Sequence, residues 1–460
     1  MISAPSPQSF GRAGIGATLT RTGPPLLLRA TAVALFLFPA NMIIKPLGAI
    51  GYVAMIMALL VFMFWLLSAC FGLHKTIDVR HPGRVALTLI LLASCATYVA
   101  MYMGISGAST VSGRASADRW MLLMAASTGI VLTVAETVQR IGDAMVMVRA
   151  LLRGAFFCSL VAVVQFVTHL NPMDWIQSIM VGFVNNGGIQ PFQERGSFLR
   201  VAGSTFHPIE LGILASMLLP LSIWRGLYDR TGKKWLHWTG TGLLIFALAA
   251  TVSRSGMIGI VVAVAIFVPF LPAVARKWAI VAVPFALATL FLAVPGLIAT
   301  LFSTATAGTT DTSITSRLQD YPMVEAMTQA RPLTGIGPGA YLTSNALDIL
   351  DNQYLKTLVE MGIPGFISLV LYMLIPGVAA WIAARNTHSP QLRTLAAAVS
   401  AGCLIATPAA ATFDALGFPV FALVYPFFVG LSGSVWIMVK KELQSPKLGS
   451  ADHTSTIVNL

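Results

Sequence analysis

The chain has 460 residues, 56% of them hydrophobic and only 10% charged, with a mean hydropathy of +0.80. That balance excludes an ordinary water-soluble domain, in which roughly a quarter of residues are charged, and points to a polytopic membrane protein. The net charge of +12 does not indicate nucleic acid as a partner, because the basic residues form short clusters at the ends of apolar runs, where snorkelling and anionic headgroups account for them.

An N-terminal tail, 1–24, carries arginines ahead of an apolar stretch, as a signal peptide does, but no small-residue cleavage site follows it, so a retained first helix is expected. Apolar runs of bilayer-crossing length, about 17 to 25 residues, then recur along the chain. They fall at 25–44, 47–71, 85–103, 119–137, 150–169, 206–225, 237–252, 255–272, 278–300, 363–383, 394–412 and 417–439. The expected fold is therefore an all-α polytopic membrane protein of about twelve transmembrane helices. It forms one integral membrane domain, 25–439, with a C-terminal tail, 440–460, and no internal repeat. Cys70, Cys95, Cys158 and Cys403 all lie in apolar runs without CxxC spacing, which argues against a disulfide framework or a metal site.

Orientation follows from Lys and Arg in the short loops, which accumulate on the cytoplasmic side. With both termini inside, only Lys45, Arg114, Arg119, Arg195, Arg200, Arg254, Arg317, Arg331 and Lys356 fall outside. Two long segments, 169–205 and 301–362, are then extracytoplasmic, the larger one between the ninth and tenth helices. Within it, Ser316 ahead of Leu318 and Val324 predicts a short helix on the membrane surface, broken by Pro332 and the series Gly335, Gly337 and Gly339. GIGPG imitates a phosphate loop, but no strand precedes it and its order is neither GxGxxG nor GxxxxGK. A tight loop allowing close backbone approach is the better reading.

Three polar clusters carry chemistry. Arg254 interrupts the apolar stretch LLIFALAATVSRSGMIGIVVAVAIF, where a charge is costly without a partner or a wet cavity, so it is a functional-site candidate. Snorkelling to outer headgroups is its structural alternative. Arg200, His207 and Glu210 lie in RVAGSTFHPIELG at the outer end of the sixth run. Glu210 falls one turn after His207 and is placed to pair with or orient it. In DNQYLKTLVEMGIPG, Asp351 and Asn352 precede an amphipathic run leading into the tenth helix. Asp351 or Asp348 is expected to cap that run, leaving the other carboxylate for chemistry.

Taken in order, RVAGSTFHP, the SRSG turn, the long outer loop with its early Arg317 and PLTGIGPG, and DNQYL followed by EMGIPG resemble the O-antigen ligase and polymerase-like membrane proteins. Those proteins transfer or polymerise polyprenyl-linked glycans. The resemblance covers roughly 200–365. It implies that Arg254 and Arg317 face the pyrophosphate of a lipid-linked donor; Arg200, His207, Glu210 and Tyr354 are expected to line the substrate site, with Asp351 and Asn352 as its catalytic pair. The family often has His-Asn where this chain has Asp351 and Asn352, which leaves the identity of the base open among Asp351, Asp348 and His207.

The implied reaction is extracytoplasmic transfer of a glycan from a polyprenyl-pyrophosphate donor to a glycan or lipid acceptor hydroxyl. Guanidinium groups would hold the phosphates bidentately and a carboxylate would take the proton. The donor arrives activated, so no ATP, metal or other cofactor is expected. The enzyme would reside in the cell inner membrane beside other polysaccharide-assembly membrane proteins, and glycan polymerase is preferred slightly over ligase. A lipid or glycan transporter or flippase is the leading alternative, although its commonest plan, two six-helix halves joined by a cytoplasmic loop, fits the outward long loop poorly. A scaffold for other envelope enzymes would leave Arg254 unexplained.

Overall fold

The structure, a computed structural model, describes residues 23–73, 80–187, 191–195, 198–281, 284, 312–343 and 349–444. The chain is mostly helical. In order come α1 (Leu26–Leu37), α2 (Val53–Cys70), α3 (Pro82–Tyr102), α4 (Val111–Thr137), α5 (Ile141–Thr168), α6 (Met173–Ile179), α7 (Pro208–Tyr228), α8 (Lys234–Ala250) and α9 (Arg254–Phe267). They are followed by α10 (Thr312–Ala330), α11 (Gln353–Asn386), α12 (Pro390–Ala410) and α13 (Pro419–Gln444). Among the described residues, eight helices are long and apolar enough to cross a membrane, namely α2, α3, α4, α5, α7, α11, α12 and α13. The first, seventh and eighth predicted runs fold as the shorter helices α1, α8 and α9. The ninth, 278–300, lies almost wholly outside the described residues.

Local chemistry explains where helices begin. Pro, with φ preset and no N–H to lose, opens α3, α7 and α12, behind caps from His81, His207 and Ser389. Thr110 and Ser253 cap α4 and α9 in the same way. Elsewhere the expected boundaries shift. The first run stops early at Pro39, and Met42–Ile43 (β1) pairs antiparallel with Val184–Asn185 (β2), tying the first long segment back to the N-terminal hairpin. A second ribbon, Phe192–Arg195 (β3) with Phe198–Val201 (β4), lies in the same segment. The expected all-α fold thus carries two small β-ribbons, which periodicity over so few residues cannot announce.

Helix α11 starts at Gln353, ten residues before the expected tenth span, and continues through a kink at Gly362, where φ is 66°. A side chain there would meet the Pro332 carbonyl. That contact is an anchorage: Ile363 N–H donates to Pro332 O at 2.8 Å, Ile336 N–H to Val359 O at 3.1 Å and Gly337 N–H to Glu360 O at 2.9 Å. The PLTGIGPG glycines serve close backbone approach, with Gly335 against Glu360 and Gly337 against Met101 at the end of α3.

The core is organised around α13, whose Phe421, Tyr425, Phe427 and Phe428 are fully buried and which packs on α3, α4, α11 and α12. The segments expected outside, after α1, α3, α5, α8 and α12 and before α11, gather at one end of the bundle. α7 lies against α8, α9 and α12. Its Gly212 and Ser216 face Gly256 and Gly259 of α9, where a Cβ on either α9 glycine would collide. Small residues at such an interface let helix backbones approach closely, and this sets the starts of α7 and α9 side by side.

Candidate active site

The arginine turn is built from a strained link between two helices. α8 ends at Ala250, and Val252 adopts φ 46°, left-handed geometry that a β-branched residue occupies only under constraint. Arg200 supplies part of that constraint. The residue is 8% exposed, its Nε donates to Thr251 O at 2.7 Å, and its Nη1 donates to Gln193 Oε1 at 3.2 Å across the β3–β4 ribbon. Arg254, half-buried, is then the first residue of α9 behind the Ser253 cap. A cation at the positive pole of a helix opposes the macrodipole by roughly 0.3 to 1 kcal/mol, so helix stability does not account for an arginine here.

His207 caps α7, its Nδ1 accepting from Ile209 N–H at 3.0 Å. Burial and the Arg200 guanidinium push its pKa down to about 4, leaving a neutral ring. Since Nδ1 accepts, the proton of the neutral ring sits on Nε2. His207 can therefore donate a hydrogen bond through Nε2, and it has no spare lone pair with which to act as a base.

Glu210 does not reach His207. It is fully buried, and its carboxylate accepts from backbone N–H groups: Phe206 at 2.8 Å, Val420 at 2.9 Å and Phe421 at 2.8 Å. A buried carboxylate is tolerable only when so satisfied. Glu210 joins the entry to α7 to the first turn of α13, where the carboxylate also complements the helix dipole.

The third cluster is arranged by Asn352, not by either aspartate. Asn352 Oδ1 accepts from Tyr354 N–H at 2.9 Å and Leu355 N–H at 3.3 Å, capping α11. Asp351 precedes it, exposed. Tyr354 donates its hydroxyl to Thr407 O at 2.8 Å and lies edge-on to Phe366. Asp348 lies outside the described residues; Arg317 falls on α10 at a position whose side chain lies outside them too.

These clusters meet on a segment that the sequence reading passed over, the loop 411–418 between α12 and α13. Ser255 Oγ donates to Thr412 Oγ1 at 2.8 Å, Leu416 N–H donates to Gln353 Oε1 at 2.7 Å, and Phe418 stands 5.8 Å from the His207 ring, edge to face. Lys356 Nζ lies 2.6 Å from Asp414 Oδ2. One turn along α11, Glu360 is fully buried, with Oε1 accepting from Tyr341 N–H at 3.3 Å and Oε2 without a partner among the described residues. Asp414 was detectable, because it is the sole acidic residue between Glu360 and Glu442 and ends an apolar run, the same signal that marks Arg254.

The arrangement brings Arg200, Arg254, His207, Glu210, Asn352 and Tyr354 to one end of the bundle through two shared supports, the Thr251–Ser253 turn and the loop 411–418. The starts of α7, α9, α11 and α13 converge there too. Guanidinium groups beside helix N-termini make an electropositive locus suited to a phosphate-bearing substrate.

No curated protein matches the chain in sequence. Residues 239–370 match the family model described as O-antigen ligase. The matched stretch includes the arginine turn, α10, the glycine loop and the first part of α11, whereas Arg200, His207, Glu210 and the loop 411–418 lie outside it. The match indicates glycan transfer of the O-antigen ligase type in general, on a lipid-linked glycan at a bilayer. Residues 239–370 thus carry an O-antigen ligase-like domain, within a chain whose long apolar helices suit a multi-pass membrane protein.

Proposed function

We propose that this chain is a glycosyltransferase that moves a glycan from a polyprenyl-pyrophosphate donor to an acceptor hydroxyl on the extracytoplasmic face of the inner membrane, as a polymerase in preference to a ligase. The observation that carries this reading is Arg254 at the first turn of α9, in a strained turn braced by the buried Arg200. Arg254 and Arg317 hold the donor pyrophosphate and offset the negative charge that grows on it as the sugar C1–O bond breaks. Arg200 contributes by positioning, since its Nε is occupied by Thr251 O. The acceptor oxygen forms the new bond to C1, its proton passes to the Asp351 carboxylate, and polyprenyl pyrophosphate departs.

Two features of the site support these roles. Asn352 performs the capping, so the neighbouring Asp351 carboxylate is not needed for it. The neutral His207, with Nδ1 occupied, suits donation from Nε2 to a sugar hydroxyl or phosphate oxygen.

The test is mass analysis of polyprenyl-linked glycans from cells lacking the protein, complemented with the native chain or with Asp351→Asn. Single repeat units accumulating on the lipid, cleared by the native chain and not by the variant, are the expected result. Long lipid-linked chains would instead identify a ligase. If neither accumulates, glycan transfer from a polyprenyl donor is abandoned.

A further inference from the structure

The end of the bundle opposite the candidate site carries a second feature of defined chemistry. α3 and α13 both run the full depth of the protein. Met101, near the end of α3, touches the glycine loop, and α13 begins in the site, so Arg80 and Lys440 lie at the other extreme. The 21 residues of α3 correspond to about 30 Å. At that far end a groove of 740 Å³ opens between the start of α3, the end of α13 and Ile375 of α11.

Its polar mouth is formed by Arg80, Arg84 and Lys440, and among the described residues no carboxylate lines it. Described acids of this end have other partners: Asp229 holds Arg149 at 2.6 Å and Arg225 at 3.3 Å, Glu442 accepts from His388 N–H at 3.1 Å, and Glu136 accepts from Trp65 Nε1 at 2.8 Å. Deeper, Val85, Leu89, Ile375 and Trp436 present an apolar wall. His81 also lines the groove. It is 4% exposed, its Nδ1 accepts from Arg84 N–H at 3.2 Å, and its Nε2 has no hydrogen-bond partner among the described residues. Burial and the Arg84 charge lower its pKa to about 4, so the ring is neutral and the unsatisfied Nε2 carries a proton. The ring cannot turn away, because Gly433 of α13 lies so close that a Cβ there would stand 2.6 Å from it. A buried N–H donor left without an acceptor costs roughly 1 to 3 kcal/mol, which a ligand oxygen in the groove would recover.

We propose that this groove is a binding site for an anionic phospholipid of the bilayer, with the phosphate on Arg80, Arg84 and Lys440, an ester or phosphate oxygen accepting from His81 Nε2, and an acyl chain along Val85, Leu89 and Trp436. A cationic mouth, one buried donor and an apolar wall together match a phosphodiester headgroup, its ester linkage and its tail. A free phosphate would leave the apolar wall unused.

The experiment is native mass spectrometry of the full chain, delipidated in detergent and exposed to phosphatidylglycerol or phosphatidylcholine. Wild type should retain phosphatidylglycerol at least about tenfold better. Arg80→Gln with Lys440→Gln, both exposed positions, should weaken retention by about 25-fold, from roughly fivefold per cation. Val85→Trp, which fills the apolar wall and leaves every cation in place, should abolish retention, and millimolar inorganic phosphate should not displace the lipid. Equal retention of the two lipids overturns the proposal without recourse to any variant. An unaffected double variant, or displacement by phosphate with Val85→Trp behaving as wild type, overturns it as well, the latter identifying a simple anion site.

Discussion

The family-matched stretch, 239–370, and the α12–α13 hairpin that follows it differ in what they bring to the same end of the protein. The first holds the residues proposed for chemistry: Arg254, Arg317, Asp351 and Asn352. The second is almost uncharged between Arg393 and Lys440, with Asp414 its one exception. Yet Thr412 meets Ser255 of α9, Asp414 and Leu416 meet Lys356 and Gln353 of α11, Phe418 meets His207, and the Val420 and Phe421 amides both meet Glu210 of α7. Groups that meet a substrate must be presented at the end of a rigid element, and a charged residue there is visible in a sequence. Groups that hold those elements together act largely through backbone amides, which any residue possesses.

The sharpest way to break this comparison is Arg254→Ala. Loss of a charged donor to a developing phosphate charge costs about 10²- to 10³-fold in rate, so glycan product should fall by that factor while the purified protein unfolds as wild type does. Normal product from this variant would falsify the pyrophosphate role.

The hairpin should respond in the opposite sense, in stability first. Glu210→Gln removes the charge from three buried acceptor bonds and should lower unfolding stability by roughly 1 to 3 kcal/mol, read by chemical denaturation in detergent. Asp414→Ala strands Lys356 and should cost about 2 kcal/mol, with part of that recovered in the double variant Lys356→Met/Asp414→Ala. Strict additivity of those two substitutions would show that the pair does not couple.

Between the two regions stands the Arg200 brace. Arg200→Lys cannot reproduce the guanidinium geometry and should reduce the transfer rate about tenfold. Val252→Gly, which accepts the left-handed turn without strain, should restore much of that rate in the double variant. A double variant no better than Arg200→Lys alone would assign Arg200 to the substrate and not to the turn.

The last expected effect is confined to acid pH. Burial and the Arg200 guanidinium lower the His207 pKa in the fold to about 4 from an ordinary value of 6.5, so the unfolded chain binds this proton more readily than the native one. Stability is therefore unaffected by His207 above pH 6.5 and declines as pH falls from there towards 4. His207→Asn keeps a cap acceptor and should flatten the stability curve in that window. An unchanged slope would remove His207 from the acid response.

The candidate site was legible in parts. Arg254 was visible because a charge inside an apolar run needs a reason, and the apolar runs 206–225 and 255–272 began close to the observed starts of α7 and α9. Asp414 offered the same kind of signal. Glu210 did not announce its role, because its proximity to His207 suggested a local pair, whereas its partners Val420 and Phe421 lie more than 200 positions away. The cap on α11 was misplaced by one residue, since Asp348, Asp351 and Asn352 are all competent caps by type and only backbone geometry selects among them.

The sequence by itself determined the class of protein, the position of most of its helices and the polar segments that interrupt them, because transfer of apolar runs into a bilayer and the capping of helix ends are local properties of the chain. The tertiary structure alone decided that Gly362 kinks α11 to receive the glycine loop, that α7 and α9 close on Gly212 and Gly256, and that the loop 411–418 gathers the scattered motifs into one site. Those outcomes depend on which backbone groups come within hydrogen-bonding distance across hundreds of residues, a matter of helix packing that no local pattern encodes.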